Sequence, residues 1–483
     1  MNKTQWKLTL LTAALLLAGC STVKPPEQVT LDLPAQYREA GQLDGAWKKA
    51  EPADNVDRGQ WWHIYRDAKL NGLVEQATQS NPNLAVAVAR VKEARAIAGI
   101  VDANRGFQLN GGVGPTRTRD STTPATTEWR AQLNAAYEVD LIGRLSDESR
   151  AAALDAEAQE AAYRSILLTL QADVAQQYFA IRSLDTELDI LQKTVALRQE
   201  EVRLVQYRYD VGDTSELDLA KAKTELAVVQ AEEESVKRLR AQQDHALAVL
   251  LGKAPAQFTL AAAPLEANKV IVPAGLPADL LERRPDIAQA QRQLAAASAR
   301  IGAAKAAFFP RLVLTGTAGY ESNELGDLFK WSSRSWVLGP LIGTALSLPI
   351  FDGGRNKANL ARANAGYEAL VANYRQQVLV GFQDVENNLS ALRTLDKQIG
   401  FQEQAVSSAQ RAAHLADVRY KNGSASYFEV IDAQRTSLAA ERAQSRSQGE
   451  RSLASVGLIR ALGGGWGKAD ASLKAAAVVM PDR

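Results

Sequence analysis

Two stretches of this chain carry apolar residues every seven positions, and both do so in the same register. Leu167, Val174, Ile181, Leu188, Val195, Val202 and Tyr209 form one series, with Leu170, Leu184, Leu191 and Val205 three places after several of them. Val378, Val385, Leu392, Ile399, Val406, Ala413 and Tyr420 form the other, each displaced by 211 positions from its counterpart. Seven successive heptads specify long helices packed along a continuous seam. From about Arg144 to Tyr209 the chain has no proline and no glycine. Roughly 65 residues at ~1.5 Å each predict a helix of about 100 Å. That length is anomalous in a globular domain and ordinary in a coiled-coil tube.

The repetition extends beyond the heptads. Arg208-Tyr209-Asp210-Val211-Gly212 matches Arg419-Tyr420-Lys421-Asn422-Gly423, and Leu251-Gly252 matches Leu462-Gly463, both at an offset of 211. Asn81-Pro82-Asn83-Leu84 resembles Arg284-Pro285-Asp286-Ile287 at an offset of 203. A period of this size is a duplicated domain-sized unit. Past the first RYxxG, Ala222, Val229, Val236 and Leu250 resume the seven-residue spacing. Gly212 and Gly423 therefore mark reversals between antiparallel helices, where a tight turn needs glycine's backbone freedom.

Between the helices the period changes to two. From Trp129 to Leu141 the odd positions are Trp, Ala, Leu, Ala, Tyr, Val and Leu, against Arg130, Gln132, Asn134, Ala136, Glu138 and Asp140. The second copy alternates through Trp336, Leu338, Pro340, Ile342, Thr344, Leu346 and Leu348. Preceding each is a partner strand, at Phe107, Leu109, Val113 and at Leu312, Leu314, Ala318, Tyr320. Such alternation with aromatic ends suits tilted strands crossing a bilayer, and it also suits a soluble sandwich sheet. Four strands cannot close a barrel, and an open edge in lipid leaves backbone groups unsatisfied. Two chains would supply eight strands and three would supply twelve.

The N-terminus favours the membrane. Lys3 and Lys7 precede the apolar run Leu8 to Ala18, a secretory signal peptide too short to span a bilayer. Leu17-Ala18-Gly19-Cys20 has the form of a bacterial lipobox, in which Cys20 is acylated and becomes the first mature residue. Cys20 is the chain's single cysteine, so an intrachain disulfide is impossible. A net charge of +1 gives no reason to expect nucleic acid. His63, His245 and His414 lack metal-ligand spacing, and Gly463-Gly464-Gly465 follows a helix end without Lys-Ser/Thr, so no phosphate loop is present. Neither a catalytic centre nor a cofactor is expected, apart from the covalent lipid.

The chain resembles the TolC-like outer membrane factors, in particular the lipoprotein branch serving tripartite efflux systems of the resistance-nodulation-division type. Gly275-Leu276-Pro277-Ala278-Asp279-Leu280-Leu281-Glu282-Arg283-Arg284-Pro285-Asp286-Ile287 carries the resemblance, with Ala306-Ala307-Phe308-Phe309-Pro310, both RYxxG tips, Leu348-Pro349-Ile350-Phe351 and Ala461-Leu462-Gly463-Gly464-Gly465-Trp466. It implies a mixed fold: a homotrimeric twelve-stranded outer-membrane β-barrel, four strands per chain, continuous with a helical periplasmic tunnel. It also implies a periplasmic adaptor docked on the tunnel tips and an inner-membrane pump supplying the energy. Cargo would be drugs or other small toxic compounds; a duct for protein secretion or metal efflux, and a structural coiled-coil lipoprotein, are the alternatives.

The expected division is a signal peptide (1–19), a lipidated N-terminal segment (20–60), a first repeat (61–254), a linker and equatorial segment (255–283), a second repeat (284–466) and a tail (467–483). Strands are expected at about 107–119, 128–141, 311–321 and 335–350, and tips at about 208–216 and 419–427. Phe428, Asp432 and Arg435 are spaced to share one helix face, with Glu429 beside it. Threefold symmetry would turn Phe428 into an apolar ring and Asp432 into a carboxylate ring, the usual materials of a constriction. The resemblance places the periplasmic gate at Phe428, Glu429, Asp432 and Arg435; the plain alternative is coiled-coil packing and a solvated Asp432–Arg435 pair. The resemblance also implies a bond between Asp218 and Tyr420 that keeps the coils closed. Val211, Gly212, Asp213, Asn422, Gly423 and Ser424 would meet the adaptor.

Overall fold

The computed structural model describes residues 37–40, 59–119, 121, 124–266, 283–339 and 346–464. The signal peptide, Cys20, most of the N-terminal segment, the Gly275–Glu282 motif and the tail from Gly465 lie outside the described residues.

Seven helices are described: α1 (Ala68–Ser80), α2 (Pro82–Ala103), α3 (Arg144–Asp210), α4 (Glu216–Leu250), α5 (Pro285–Ala306), α6 (Arg355–Lys421) and α7 (Tyr427–Ala461). α3 and α6 each run 67 residues, and α4 and α7 each run 35, with both pairs at the offset of the heptad series. The helix starts follow local chemistry. The Asp67 carboxylate accepts hydrogen bonds from the Lys69 and Leu70 N–H groups, and Asn81 does the same for Asn83 and Leu84. Asp140 accepts from the Leu145 and Ser146 N–H groups, so strand passes to helix over a few residues.

By chain contacts the protein divides into two compact units. Among the described residues, one comprises 89–160 and 289–376, and the other 37–88, 161–266, 283–288 and 377–464. The first holds the sheet: β1 (Gln108–Thr118), β2 (Thr126–Val139), β3 (Arg311–Ser322), β4 (Arg334–Gly339) and the short β5 (Leu346–Ser347). The order is β1-β2-β3-β4, all antiparallel, with β5 also on β3. The fourth expected strand is thus described in two pieces and ends at Ser347, not at residue 350. Pro349 offers no N–H to a ladder and restricts Leu348 before it.

Cross-strand register sorts the sheet into two faces, because directly opposed residues point the same way. Leu109, Val113 and Pro115 pair with Ala135, Ala131 and Trp129; Ala131, Leu133 and Tyr137 pair with Tyr320, Ala318 and Leu314; and Ala318 and Gly316 pair with Trp336 and Leu338. Through the body of the sheet that face is apolar, and polar side chains join it only at the loop end, at Arg117, Thr127, Ser322 and Arg334. The other carries Glu128, Arg130, Gln132, Asn134, Thr317 and Glu321, joined by Gln132 donating to Glu321 at 3.2 Å and Thr317 bonded to Asn134 at 2.9 Å. No second sheet covers the apolar face among the described residues: Val113 is 77% exposed and Trp336 71%. A sandwich would bury these side chains, so the soluble alternative loses its basis.

The second unit holds the cores. Trp61, Trp62 and Tyr65 pack with Leu70, Val74, Leu170, Val174, Tyr178, Leu247 and Ile459. Lower on the heptad seam, Leu188 and Leu191 of α3 meet Val229 and Val236 of α4. The Arg182 and Arg240 guanidiniums bind Asp185 and donate to the Ala261 and Leu260 carbonyls, which pins the chain leaving α4. Arg284 binds Asp286 and Asp384 and donates to the Ala461 carbonyl, so the Arg-Pro-Asp motif ties together α5, α6 and the end of α7.

Candidate functional site at the helical tips

Both tips close in the same way. Gly212 has φ 79° and Gly423 φ 73°, left-handed values that a side chain resists. The Gly212 N–H donates to the Tyr209 carbonyl at 3.0 Å and the Asp213 N–H to Arg208 at 2.7 Å. Gly423 donates to Tyr420 and Ser424 to Arg419, both at 2.9 Å. This paired pattern is the Schellman end. The arginine opening each motif now has a role that spacing did not show. Arg208 donates to the Asp213 carboxylate at 2.7 Å, and Arg419 donates to the Ser424 carbonyl at 3.1 Å. Val211 stands out at 60% exposed.

α7 begins with a capping box: the Ser426 hydroxyl accepts from the Glu429 N–H while the Glu429 carboxylate accepts from the Ser426 N–H. Glu429 also pairs with Arg419 at 3.4 Å. The Ser-x-x-Glu spacing is the sequence signature of this box. Glu429 is thus engaged by its own helix start, whereas Asp432 is exposed and has no ion pair among the described residues.

Phe428 is 60% exposed, on the face it was expected to share with Asp432 and Arg435, and the Lys221 ammonium lies 5.7 Å from its ring. Its neighbour Tyr427 is buried with Val205, Leu219, Ala222, Val430 and Ile431, so packing of α7 on the first hairpin is assigned to Tyr427 and not to Phe428. Arg435 does not pair with Asp432. It reaches the buried Glu225 carboxylate of α4, with Nε to Oε2 at 2.9 Å and the second contact through Nη2. That pairing holds the Arg435 guanidinium above its ordinary pKa. One heptad on, Arg442 binds Glu232 at 2.7 Å and Glu187 at 2.9 Å, and Arg446 joins Glu187. Burial alone would push the Glu187 carboxyl up, but the two guanidiniums outweigh it and hold it below its ordinary value. Sequence reasoning missed this ladder because its partners lie about two hundred residues apart.

The expected hydrogen bond between Asp218 and Tyr420 is not present. Asp218 accepts from Thr214 at 3.2 Å and from Ser215 at 3.0 Å at the start of α4. The Tyr420 hydroxyl is buried without a hydrogen-bond partner among the described residues, and burial raises its pKa. Its ring instead contacts the Arg208 guanidinium, 5.1 Å from the centroid, and the tilted Tyr427 ring at 5.4 Å.

The family profile described as outer membrane efflux protein matches residues 73–253 and 276–464. The chain belongs to that family. Among its relatives, this outer membrane efflux protein is 35% identical over 462 residues to the solvent efflux pump outer membrane protein SrpC of Pseudomonas putida, covering 94% of this chain and 97% of the relative. It is 33% identical over 466 residues to the cation efflux system protein CusC of Escherichia coli, covering 95% and 99%. The solved MtrE outer membrane channel of Neisseria gonorrhoeae, in its open state, superposes with a TM-score of 0.81 at 30% identity, over 92% of this chain and 98% of that one. The protein is therefore the outer-membrane channel component of a tripartite efflux pump, with a β-sheet stave and a helical periplasmic extension. As an outer membrane efflux protein it is a passive duct and not a catalyst.

Proposed function

We propose that three copies of this chain, each anchored through acylated Cys20, close a twelve-stranded barrel and a helical tunnel that discharges drugs and other small toxic compounds. The observation that carries the reading is the sheet: one face apolar through its body, with Val113 and Trp336 exposed on it, the other polar, and the outer edges of β1 and β4 unpaired among the described residues. Such an edge is untenable in lipid unless a neighbouring copy pairs with it. The equal lengths of α3 and α6, and of α4 and α7, support descent from a duplicated hairpin unit.

The gate of this duct is the ring of Phe428 side chains with the Asp432 carboxylates beside it. Glu429 and Arg435 support the ring, one through the capping box and the other through Glu225. Asp218 and Tyr420 stabilise the closed tips through separate contacts and not through a mutual bond. Val211, Gly212, Asp213, Asn422, Gly423 and Ser424 form the small, exposed turns on which a periplasmic adaptor docks, and the adaptor connects the duct to an inner-membrane pump. Relatives named for solvent and for cation efflux share this fold, which supports a duct that leaves cargo selection to its pump.

Native mass spectrometry of the detergent-purified protein tests the assembly. The expected mass is three mature chains with lipid on each, and Cys20→Ser loses the lipid mass. A dimer or monomer would overturn the twelve-stranded barrel.

A further inference from the structure

We propose that the junction between sheet and helices holds a binding site for organic anions, built by Arg311 and Arg362. The inference rests on the duct reading, which sets the apolar face of the sheet against lipid and turns its polar face to the lumen. A groove of about 470 Å³ lies among α3, α5, α6 and the first residue of β3, within the sheet-bearing unit. Arg144, Arg300, Arg311 and Arg362 line it together with Leu370 and alanines of α5 and α6.

The charge is unbalanced. Glu148 is the one acidic residue in the lining, and Arg144 holds it at 2.8 Å while also binding Glu138 at 2.7 Å. Arg300 is paired with Asp155. Arg311 and Arg362 are exposed and have no acidic partner among the described residues. Register fixes the side of the sheet: Arg311 stands opposite Ser347, on the face of Thr317 and Glu321, while Leu312 and Leu346 belong to the apolar face.

Two unpaired guanidiniums are planar donors matched to carboxylate, sulfonate or phosphate oxygens. The alanines and Leu370 supply an apolar wall, and the volume lies in the range of small-molecule sites. The ligand class is thus an anionic head on a compact apolar body, and the site would gather such cargo where tunnel passes into barrel. A cation of the same shape meets net positive charge there and is not held, which leaves its passage through the duct unaffected.

The test is equilibrium dialysis of naphthalene-2-sulfonate against the full-length protein in nanodiscs of zwitterionic lipid. Saturable binding is expected, weakened by about tenfold or more in Arg311→Gln/Arg362→Gln, the scale of one lost charge-assisted contact. Arg117→Gln/Arg119→Gln, at the far end of β1, should bind as the wild type does. The corresponding naphthyl trimethylammonium ion should show no saturable binding. Equal melting temperatures of the variants show that each is folded, and Arg311→Lys/Arg362→Lys should recover part of the affinity. No saturable binding, binding unchanged in the double glutamine variant, or equal binding of the cation would each overturn the site. Conductance measured on the same preparations separates the two readings: a protein that binds the sulfonate but never conducts keeps the site and loses the duct.

Discussion

The tie between Arg435 and Glu225 can be broken with a predictable cost. Glu225 is 6% exposed at its side chain, and Arg435 is 60% exposed. Replacing Arg435 with Met leaves a buried carboxylate without its counter-ion. For a fully buried pair that costs ~3–5 kcal/mol. Water reaches the arginine end here, and exposed partners contribute far less, so roughly 2 kcal/mol is expected. A change of about 2 kcal/mol is about a 30-fold shift in an opening equilibrium. The loss should be local to the tips, because the core around Trp61 and Tyr65 belongs to a separate cluster. Hydrogen exchange is the assay: amides of Val430 to Leu438 should lose protection by about 30-fold, while those of Leu170 to Ile181 keep theirs. Removing both charges, as Glu225→Met/Arg435→Met, should restore most of the protection, since an apolar pair of similar volume replaces a buried ion pair at little cost. Unchanged exchange in Arg435→Met would refute the argument that this pair fastens α7 to α4. A double variant as loose as the single would show that packing of the arginine stem, and not charge, was lost.

Three further outcomes follow from the same geometry. The Glu187 carboxyl is held below its unfolded value of 4.5 by Arg442 and Arg446, so its contribution is complete above that pH and is lost as pH falls through the lower, folded value; thermal unfolding should show Glu187→Gln less stable than wild type at pH 7 and converging with it as the pH falls below that lowered value. Gly212→Ala or Gly423→Ala forces a side chain into the left-handed region and should cost about 1–2 kcal/mol locally, read as faster exchange of the last turn of α3 or α6 with no change in the sheet. Leu133→Arg places a charge mid-strand on the apolar face and should cost ~2–4 kcal/mol of insertion, seen as loss of the unboiled oligomer band on a gel, whereas Gln132→Arg on the polar face should leave that band intact.

Periodicity carried much of this fold in plain view. The heptad series places α3 and α6, glycine spacing places both tips, and alternation assigns the two faces of β2. Pairing between the halves of the chain was hidden. β2 and β3 are joined along Trp129 to Val139, yet 171 residues separate the end of one from the start of the other, and alternation alone names no partner. At the tips, helix spacing puts Phe428 and Asp432 on one face and the resemblance names them for a gate, while the partners of Arg435 and Arg442 depend on which helix lies alongside. The Asp218–Tyr420 bond was carried over from the resemblance, and local chemistry overrode it: Thr214 and Ser215 stand closer in sequence and claim the carboxylate. The Ser426–Glu429 box is legible in the Ser-x-x-Glu spacing, a local signal that needs no tertiary partner.

Single-channel conductance in planar bilayers tests the central claim most directly, with wild type beside Phe428→Ala/Asp432→Ala. A duct gated at the helical tips predicts small, rare openings for the wild type and larger, longer ones for the double variant. Equal openings in both would move the gate elsewhere along the tunnel. No conductance from either protein, with insertion confirmed, would contradict the duct itself.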